Sequence, residues 1–447
     1  MRGLTESAAR FVANLRYDDL PAGATDAAAR GIADCASVIL LGVDEPVTSL
    51  VAARAPKGAD EARALWGRLR TSADYAALIN ATSAHSLDYD DTAGDSHPSA
   101  VLFPAILALG ERAASGKDLL TAYVAGYEVW GELASREEDK HHAKGFHPSG
   151  IFGTIGAAAA CANLLGLNEQ QSAAAMSIAA SMSSGLVANF GSMTKPYQLG
   201  RAAQSGVLAA QLAADGLTAA ADALEHRLGF LAAFSPAARV DLTTEPAFGQ
   251  SWRVLTAGPN IKLYPVCYAA HRLIDSAVAL ASTMTVEADA IRSIRVYLGR
   301  TQSQILRYRA PSTSLEAKFS AEFAVAMAIA EGSVGLRELD ESFVRRADVR
   351  KLMASVERIE SDEVDPQQSL FSPADRVEVE FADGSVRVGP EVRFPLGHAH
   401  NPAGRPRLLS KFEECTTGHL DEVTRKRLFS TLYNLQDMGY ISELYAS

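Results

Sequence analysis

The tripeptide His-Pro-Ser occurs twice, at His97-Pro98-Ser99 and at His147-Pro148-Ser149. Each copy leads into a long apolar run, Ala100–Leu109 after the first and Gly150–Leu167 after the second. This order predicts a helix entry, with the serine as N-cap and an imidazole just outside the first turn. The first N–H groups of a helix lack internal partners, and the macrodipole adds partial positive charge there. Two such ends, each with a histidine, suit a small anionic substrate that must also exchange a proton. The bland alternative is that both histidines cap or pack.

The densest polar cluster, His85–Ser99 (HSLDYDDTAGDSHPS), lies just ahead of the first of these helices. It offers His85, Asp88, Asp90, Asp91, Thr92, Asp95 and His97 for acid–base chemistry, a carboxylate orienting an imidazole and a hydroxyl placing a proton. An Asp-rich turn that caps helices has the same composition. Asp90, Asp91 and Asp95 also resemble the acidic magnesium motif of helical prenyl-diphosphate enzymes, but the second metal motif of those enzymes is not evident. Two lysine segments follow. GSMTKPYQLGRAAQSG carries Lys195, Gln198 and Arg201, and GPNIKLYPVCYAAH carries Lys262 and Tyr264. A lysine beside so much apolar surface is destabilising unless paired, which an anionic ligand would achieve. A lysine snorkelling at a helix end is the alternative.

These residues need a scaffold, and the bulk numbers describe one. With 447 residues, 48% hydrophobic and 21% charged, the chain has the balance of a globular protein of about two domains. Aromatics make up only 7% and alanine is abundant, which predicts closely packed helices. A net charge of −11 argues against nucleic acid or an anionic membrane as partner. Cys35, Cys161, Cys267 and Cys415 stand apart, so no zinc or iron–sulfur site is indicated and no metal ligand set is assigned. Isolated thiols, and an N-terminus without an apolar core of signal-peptide length, predict a cytoplasmic protein. Gly150–Leu167 and Ala173–Phe190 are long and uncharged, but rich in Ala, Gly and Ser, and are read as a buried helical hairpin, not a membrane span.

Apolar spacing of three and four predicts helices over Leu4–Asn14, Thr25–Leu41, Ser72–Ser86, Ala100–Ser115, Leu119–Arg136 and Arg201–Asp215. Nearly every segment up to Ala257 has this character. After Pro265 the pattern changes. A helix is expected over Tyr268–Ser282, an alternating strand over Ser293–Leu298, and a hairpin over Val377–Gly389 around Asp383-Gly384. Helical stretches are expected at Lys318–Glu331 and Leu336–Arg346. The expected fold is therefore mainly α: a large all-helical domain over residues 1–265, completed by 395–447, and a smaller α+β lid domain over 266–394. A loop over Gly397–Pro406 should lead into a last helical piece, Leu420–Tyr440, and the cleft between the domains is the default place for a site.

The segments HSLDYDDT, HPSAVLFPAILALGE, GFHPSGIFGTIGAAAA, GSMTKPYQLGRAAQSG and GPNIKLYPVCYAAHRLIDS, with the tail GHAHNPAG, resemble in type and order those of the MmgE/PrpD family. That family includes 2-methylcitrate dehydratase, cis-aconitate decarboxylase and iminodisuccinate epimerase. The resemblance spans almost the whole chain. It implies a homodimer and cofactor-independent chemistry on a small polycarboxylate. Matched by motif, it implies roles for Asp88, Thr92, His97, His147, Lys195 and Lys262. Gln198 stands where the family often has histidine, which removes a proton carrier there. Phe323 stands where some decarboxylase-type members carry tyrosine, which weakens that reading.

The expected function is a lyase or isomerase acting alpha to a carboxylate of a di- or tricarboxylate, 2-methylcitrate dehydratase-like. Asp88, Thr92, His97 and His147 would carry the chemistry. Lys195, Gln198, Arg201, Lys262 and Tyr264 would hold the substrate and stabilise enolate-like charge. An iminodisuccinate-type epimerase or a cis-aconitate-type decarboxylase would use the same constellation. A magnesium-dependent diphosphate enzyme or a non-catalytic binding protein are the remaining alternatives.

Overall fold

Small side chains decide how the central helices meet. A Cβ on Gly126 would lie 2.6 Å from the carbonyl of Gly156, and one on Gly206 would lie 2.4 Å from the Ala157 Cβ. Helices this close exclude water and larger residues, which is why the chain spends so much glycine and alanine here. The computed structural model describes residues 3–283, 287–368 and 370–445. Contacts divide the chain into two units, Met1–Ile261 with Gly404–Ser447, and Lys262–Ala403.

The first unit begins with α1 (Leu4–Asn14), α2 (Ala24–Leu41), α3 (Ala73–His85), α4 (Ser99–Gly110), α5 (Gly116–Ser135), α6 (Pro148–Leu164), α7 (Glu169–Met182) and α8 (Thr194–Ala214). Helix α6 is buried from Pro148 to Ala162 and packs against α4, α5, α7 and α8. The expected buried hairpin is thus α6 and α7, although α7 ends at Met182 and not at Phe190. Residues 183–190 leave the helix through the extended Ser183 and the positive-φ Gly185. No single helix among the described residues is long and apolar enough to cross a membrane. Helices α2 and Pro46–Ala52 pass that test only as a pair bent by 88°, and α2 is buried along most of its length.

Two expectations for this unit are corrected. It is not all-helical: β1 (Ala62–Ala64) and β2 (Leu69–Thr71) form a short antiparallel ribbon. Residues 216–252 are largely irregular, with one short helix at Phe230–Phe234, because Pro236, Pro246 and the glycines at 216, 229 and 249 interrupt any longer helical run.

The second unit is the smaller α+β one. It contains α9 (His271–Ala281) and α10 (Ala321–Glu331), which pack together, and a four-stranded sheet of order β4-β3-β5-β6. Strand β3 (Ile291–Gly299) pairs in parallel with β4 (Val356–Ser361) and antiparallel with β5 (Arg376–Phe381). The hairpin from β5 to β6 (Val386–Val388) turns at Asp383-Gly384, as the sequence indicates. Phe323 is buried in α10. In place of the continuous helix expected over Leu336–Arg346 there are two short turns, Arg337–Leu339 and Glu341–Val344.

The chain then re-enters the first unit. Helix α11 (Arg405–Thr416), which the sequence reading passed over, and α12 (Glu422–Tyr433) both pack on α2.

Candidate active site

Both His-Pro-Ser copies stand at helix entries, but the serines are not the caps. Helix α4 starts at Ser99 and α6 at Pro148, and neither serine caps its helix through its side chain. In α6 proline holds the first position, where it presets φ and needs no N–H partner, and in α4 the proline is itself the N-cap. The serines work elsewhere. Ser149 Oγ accepts from the His97 backbone N–H at 3.0 Å, and Ser99 Oγ lies 2.6 Å from the Tyr123 hydroxyl. The two motif copies are therefore bonded to each other.

Between α3 and α4 the chain makes a tight polar loop. Asp88 adopts a left-handed conformation at φ 56°, a costly one for a residue with a Cβ, as often found at functional sites. Asp91 is buried and accepts from the Ser99 N–H at 3.3 Å, so one aspartate of the cluster does cap a helix. Burial, reinforced by Asp34 and Asp90, pushes the Asp91 carboxyl well above the usual range. Asp95 is drawn off to His142, at 3.1 Å. The three aspartates of the magnesium-motif reading thus serve three different partners.

Three imidazoles gather around this loop. The rings of His85 and His97 are 4.3 Å apart, and those of His85 and His147 6.4 Å. Each has its Nδ1 against an acceptor. His85 Nδ1 lies 2.8 and 3.0 Å from the Asp90 carboxylate oxygens. His97 Nδ1 lies 3.2 Å from Asp90 Oδ2 and 3.1 Å from the Asp91 carbonyl. His147 Nδ1 lies 2.6 Å from Gln198 Oε1. Gln198 Nε2 donates to the Leu186 carbonyl at 3.0 Å, so its oxygen must face the imidazole. An Nδ1 that meets only acceptors carries the proton, which leaves each Nε2 as the free lone pair.

The partners differ in charge, and this separates the histidines. Burial works against ionisation of Asp90, but the imidazoles of His85 and His97 outweigh it and hold its carboxyl well below the usual range. His147 has only a neutral amide. Burial, with the nearby Lys195, holds its pKa well below the ordinary value. Burial likewise pushes His85 down to about 4.

Lys195, on the first turn of α8, closes the cluster. Its Nζ donates to Asp88 Oδ1 at 3.1 Å and lies 5.1 Å from the centre of the Phe190 ring. The same ring meets His147 edge-on at 4.7 Å. Asp88 Oδ1 is in turn 3.8 Å from His97 Nε2. The side chains of His97, Asp88 and Lys195 keep 12, 16 and 12% of their surface exposed, so a ligand can reach them. His85 and Asp90 are sealed. Gly185 completes the wall at φ 141°: a Cβ there would come within 3.1 Å of the His147 Cβ.

His85, Asp88, Asp90 and His97 each offer an atom within 4.8 Å of the others, the composition of a divalent-cation site. Hydrogen bonds already engage both carboxylates, Asp90 with the two imidazole N–H groups and Asp88 with an ammonium. We read the set as an ion-pair network whose cation is Lys195.

Of the other expected residues, Thr92 is buried and exchanges both backbone hydrogen bonds with Asn260, at 2.9 and 2.8 Å. The structure does not bring Arg201 to the cluster. It is exposed on α8, and its guanidinium goes to Gln204, which donates to Asp74 at 2.9 Å. Lys262 and Tyr264 belong to the second unit. Lys262 is buried there, and the Tyr264 hydroxyl donates to Asp275 at 2.6 Å. His85 and Asp90, named in the polar cluster, were left out of the expected catalytic set, and Phe190 was given no role in the site. The five-residue spacing from His85 at the end of α3 to Asp90 was the one available signal for the first two.

Comparison with known proteins matches the MmgE/PrpD N-terminal domain over residues 6–243 and the MmgE/PrpD C-terminal domain over residues 264–435. The chain belongs to the MmgE/PrpD family. Among curated MmgE/PrpD relatives, the cis-aconitate decarboxylases of Mus musculus and Homo sapiens are each 28% identical to it. The alignments cover 99% of this chain and 93 and 94% of theirs. The cis-aconitate decarboxylase of Aspergillus terreus is 25% identical, over 99% of this chain and 95% of its own. Decarboxylases are lyases, and these matches support that class for this MmgE/PrpD chain.

Proposed function

We propose that this protein is a lyase that decarboxylates a small tricarboxylate of the cis-aconitate type without a cofactor. The observation that carries the reading is the unequal partnering of the three imidazoles. His97 alone combines carboxylate neighbours with an exposed edge, whereas His85 is sealed and His147, whose Nδ1 has only an amide partner, is held neutral by burial and the nearby Lys195. The site therefore has one well-supported proton carrier among its histidines. Decarboxylation needs one.

In this reading a substrate carboxylate takes the Lys195 ammonium as counter-ion, and Asp88 fixes the position of that ammonium. The bond to a second carboxylate breaks, carbon dioxide leaves, and the electron pair stays on carbon next to the unsaturated centre. His97, as imidazolium, gives its Nε2 proton to that carbon and is reprotonated from solvent. Asp90 and Asp88 stand on either side of its ring while it is charged. The names of the relatives support the same choice.

Dehydration of a 2-methylcitrate-type hydroxy acid is the second reading. It is favoured by His147 Nε2, which makes no hydrogen bond among the described residues and could take the alpha proton. It then requires a second carrier to protonate the departing hydroxide. An epimerase likewise needs a carrier on each face of the substrate.

The test is proton NMR in D₂O of protein treated with EDTA, with cis-aconitate, 2-methylcitrate and iminodisuccinate supplied in turn. Release of carbon dioxide from cis-aconitate, with one deuteron entering the product, is expected. Water loss from 2-methylcitrate without decarboxylation would replace this reading with the second. Deuterium exchange alone would indicate epimerisation, and no reaction with any of the three would refute the substrate class.

A further inference from the structure

The proposed reaction uses His97, Lys195 and Asp88, and leaves two polar residues behind them without a task. One carboxylate, Asp90, ties two imidazoles together, with contacts of 2.8 Å to His85 Nδ1 and 3.2 Å to His97 Nδ1. Its side chain and that of His85 are wholly buried. We propose that Asp90 and His85 are positioning residues: Asp90 fixes the ring of His97 with Nε2 toward the ligand, and His85 keeps Asp90 ionised.

A carboxylate sealed beside an imidazole can escape its desolvation by taking the imidazole's proton. If it did, His97 would lose both its orientation and its counter-ion. A second N–H donor opposes this, because a carboxylate that accepts two charge-assisted bonds is stabilised in its ionised form. His85 suits the task because it is neutral. Burial holds its pKa down to about 4, so it supplies a donor without adding a charge that would repel the His97 imidazolium.

The other end of the His85 ring makes the same point. Its Nε2 is buried with no hydrogen-bond partner among the described residues, a destabilising state that an apolar ring in the same space would avoid. Only the Nδ1 contact with Asp90 makes a histidine preferable there. Around His97 the remaining charged and titratable groups are Asp88, with Lys195 bonded to it, and His147. Asp91 contributes its main-chain carbonyl. Among these only Asp90 places a side-chain oxygen against Nδ1.

The tautomer of His97 gives a readout that needs no substrate, so this inference can fail separately from the lyase reading on which its functional meaning rests. Long-range ¹H–¹⁵N spectra of histidine-labelled wild-type protein, assigned by loss of signals in His97→Gln, are expected to show neutral His97 protonated at Nδ1. In Asp90→Asn the same ring should populate the Nε2–H form. On a working substrate, Asp90→Asn should lower kcat by roughly 10²- to 10⁴-fold, with KM changed by less than about threefold. His85→Phe should fall in the same direction, and His85→Gln, which keeps an N–H for Asp90, should recover most of the loss. Wild-type His97 protonated at Nε2 would overturn the proposal, as would a folded Asp90→Asn enzyme with kcat within about threefold of wild type. If Asp90→Asn does not fold, the wild-type spectrum and the two His85 variants decide.

Discussion

Acid should destabilise the first unit through His85, and the size of the effect can be worked out. Burial lowers its pKa from 6.5 to about 4 in the folded protein. Between these values the unfolded chain binds a proton that the folded chain does not, so stability falls as pH falls. Its stabilising contribution is complete above pH 6.5 and lost progressively as pH drops toward 4. Linkage over that interval gives about 2 kcal/mol lost between pH 7 and pH 5, and about 3 kcal/mol by pH 4. The perturbation is His85→Gln, which cannot titrate and keeps an N–H for Asp90. Trp66, Trp130 and Trp252, the three tryptophans of the chain, all lie in the first unit, so urea unfolding followed by their fluorescence reports on that unit. Histidines such as His147 that are also held neutral by burial contribute equally to both proteins and cancel. Wild type should therefore lose about 2 kcal/mol more than the variant between pH 7 and pH 5. Stability curves that stay parallel within about 0.5 kcal/mol would refute the reasoning.

Two further outcomes follow from the same network. Turnover should survive exhaustive EDTA treatment within about twofold, because Lys195 supplies the positive charge at the carboxylate cluster. Strict dependence on an added divalent ion, measured as recovered activity, would contradict this. Lys411 on α11 is buried, pairs with Asp34 at 2.5 Å and donates to the Tyr89 carbonyl at 2.8 Å, between Asp88 and Asp90 in the chain. Lys411→Met should cost about 3–5 kcal/mol in urea unfolding, because it removes the ammonium that neutralises a buried carboxylate. The double variant with Asp34→Asn should recover a substantial part of that loss, and simple additivity of the two single changes would count against the pairing.

Part of the scaffold was legible because helices such as α1 and α9 carry an apolar stripe against a polar face. Helix α1 coincides with the segment expected from spacing, Leu4–Asn14. The β5–β6 hairpin was legible through its Asp-Gly turn. Strand β4 was not, since it pairs in parallel with a strand some sixty residues away and has no local turn to announce it. Helix α11 was hidden by Gly404 and Pro406, which read as a loop but also suit the start of a helix.

At the site, residue types pointed to Asp88, His97, His147, Lys195 and Gln198, which the fold brings together. Arg201 was chosen for its nearness in sequence to Lys195, but six residues along a helix place it on a different side of the axis. The division of labour between the histidines was not legible at all. It depends on which acceptor each Nδ1 meets, and for His147 that acceptor lies fifty-one residues away.

The most direct test of the account is carbon dioxide release from cis-aconitate by wild-type protein and by His97→Gln, with folding checked by circular dichroism. The account predicts turnover in the wild type and a loss of at least about 10²-fold in the variant, the usual effect of removing a general acid. Wild-type turnover with a folded His97→Gln protein working at a comparable rate would contradict the assignment of His97 as the proton donor. It would place the chemistry on another residue.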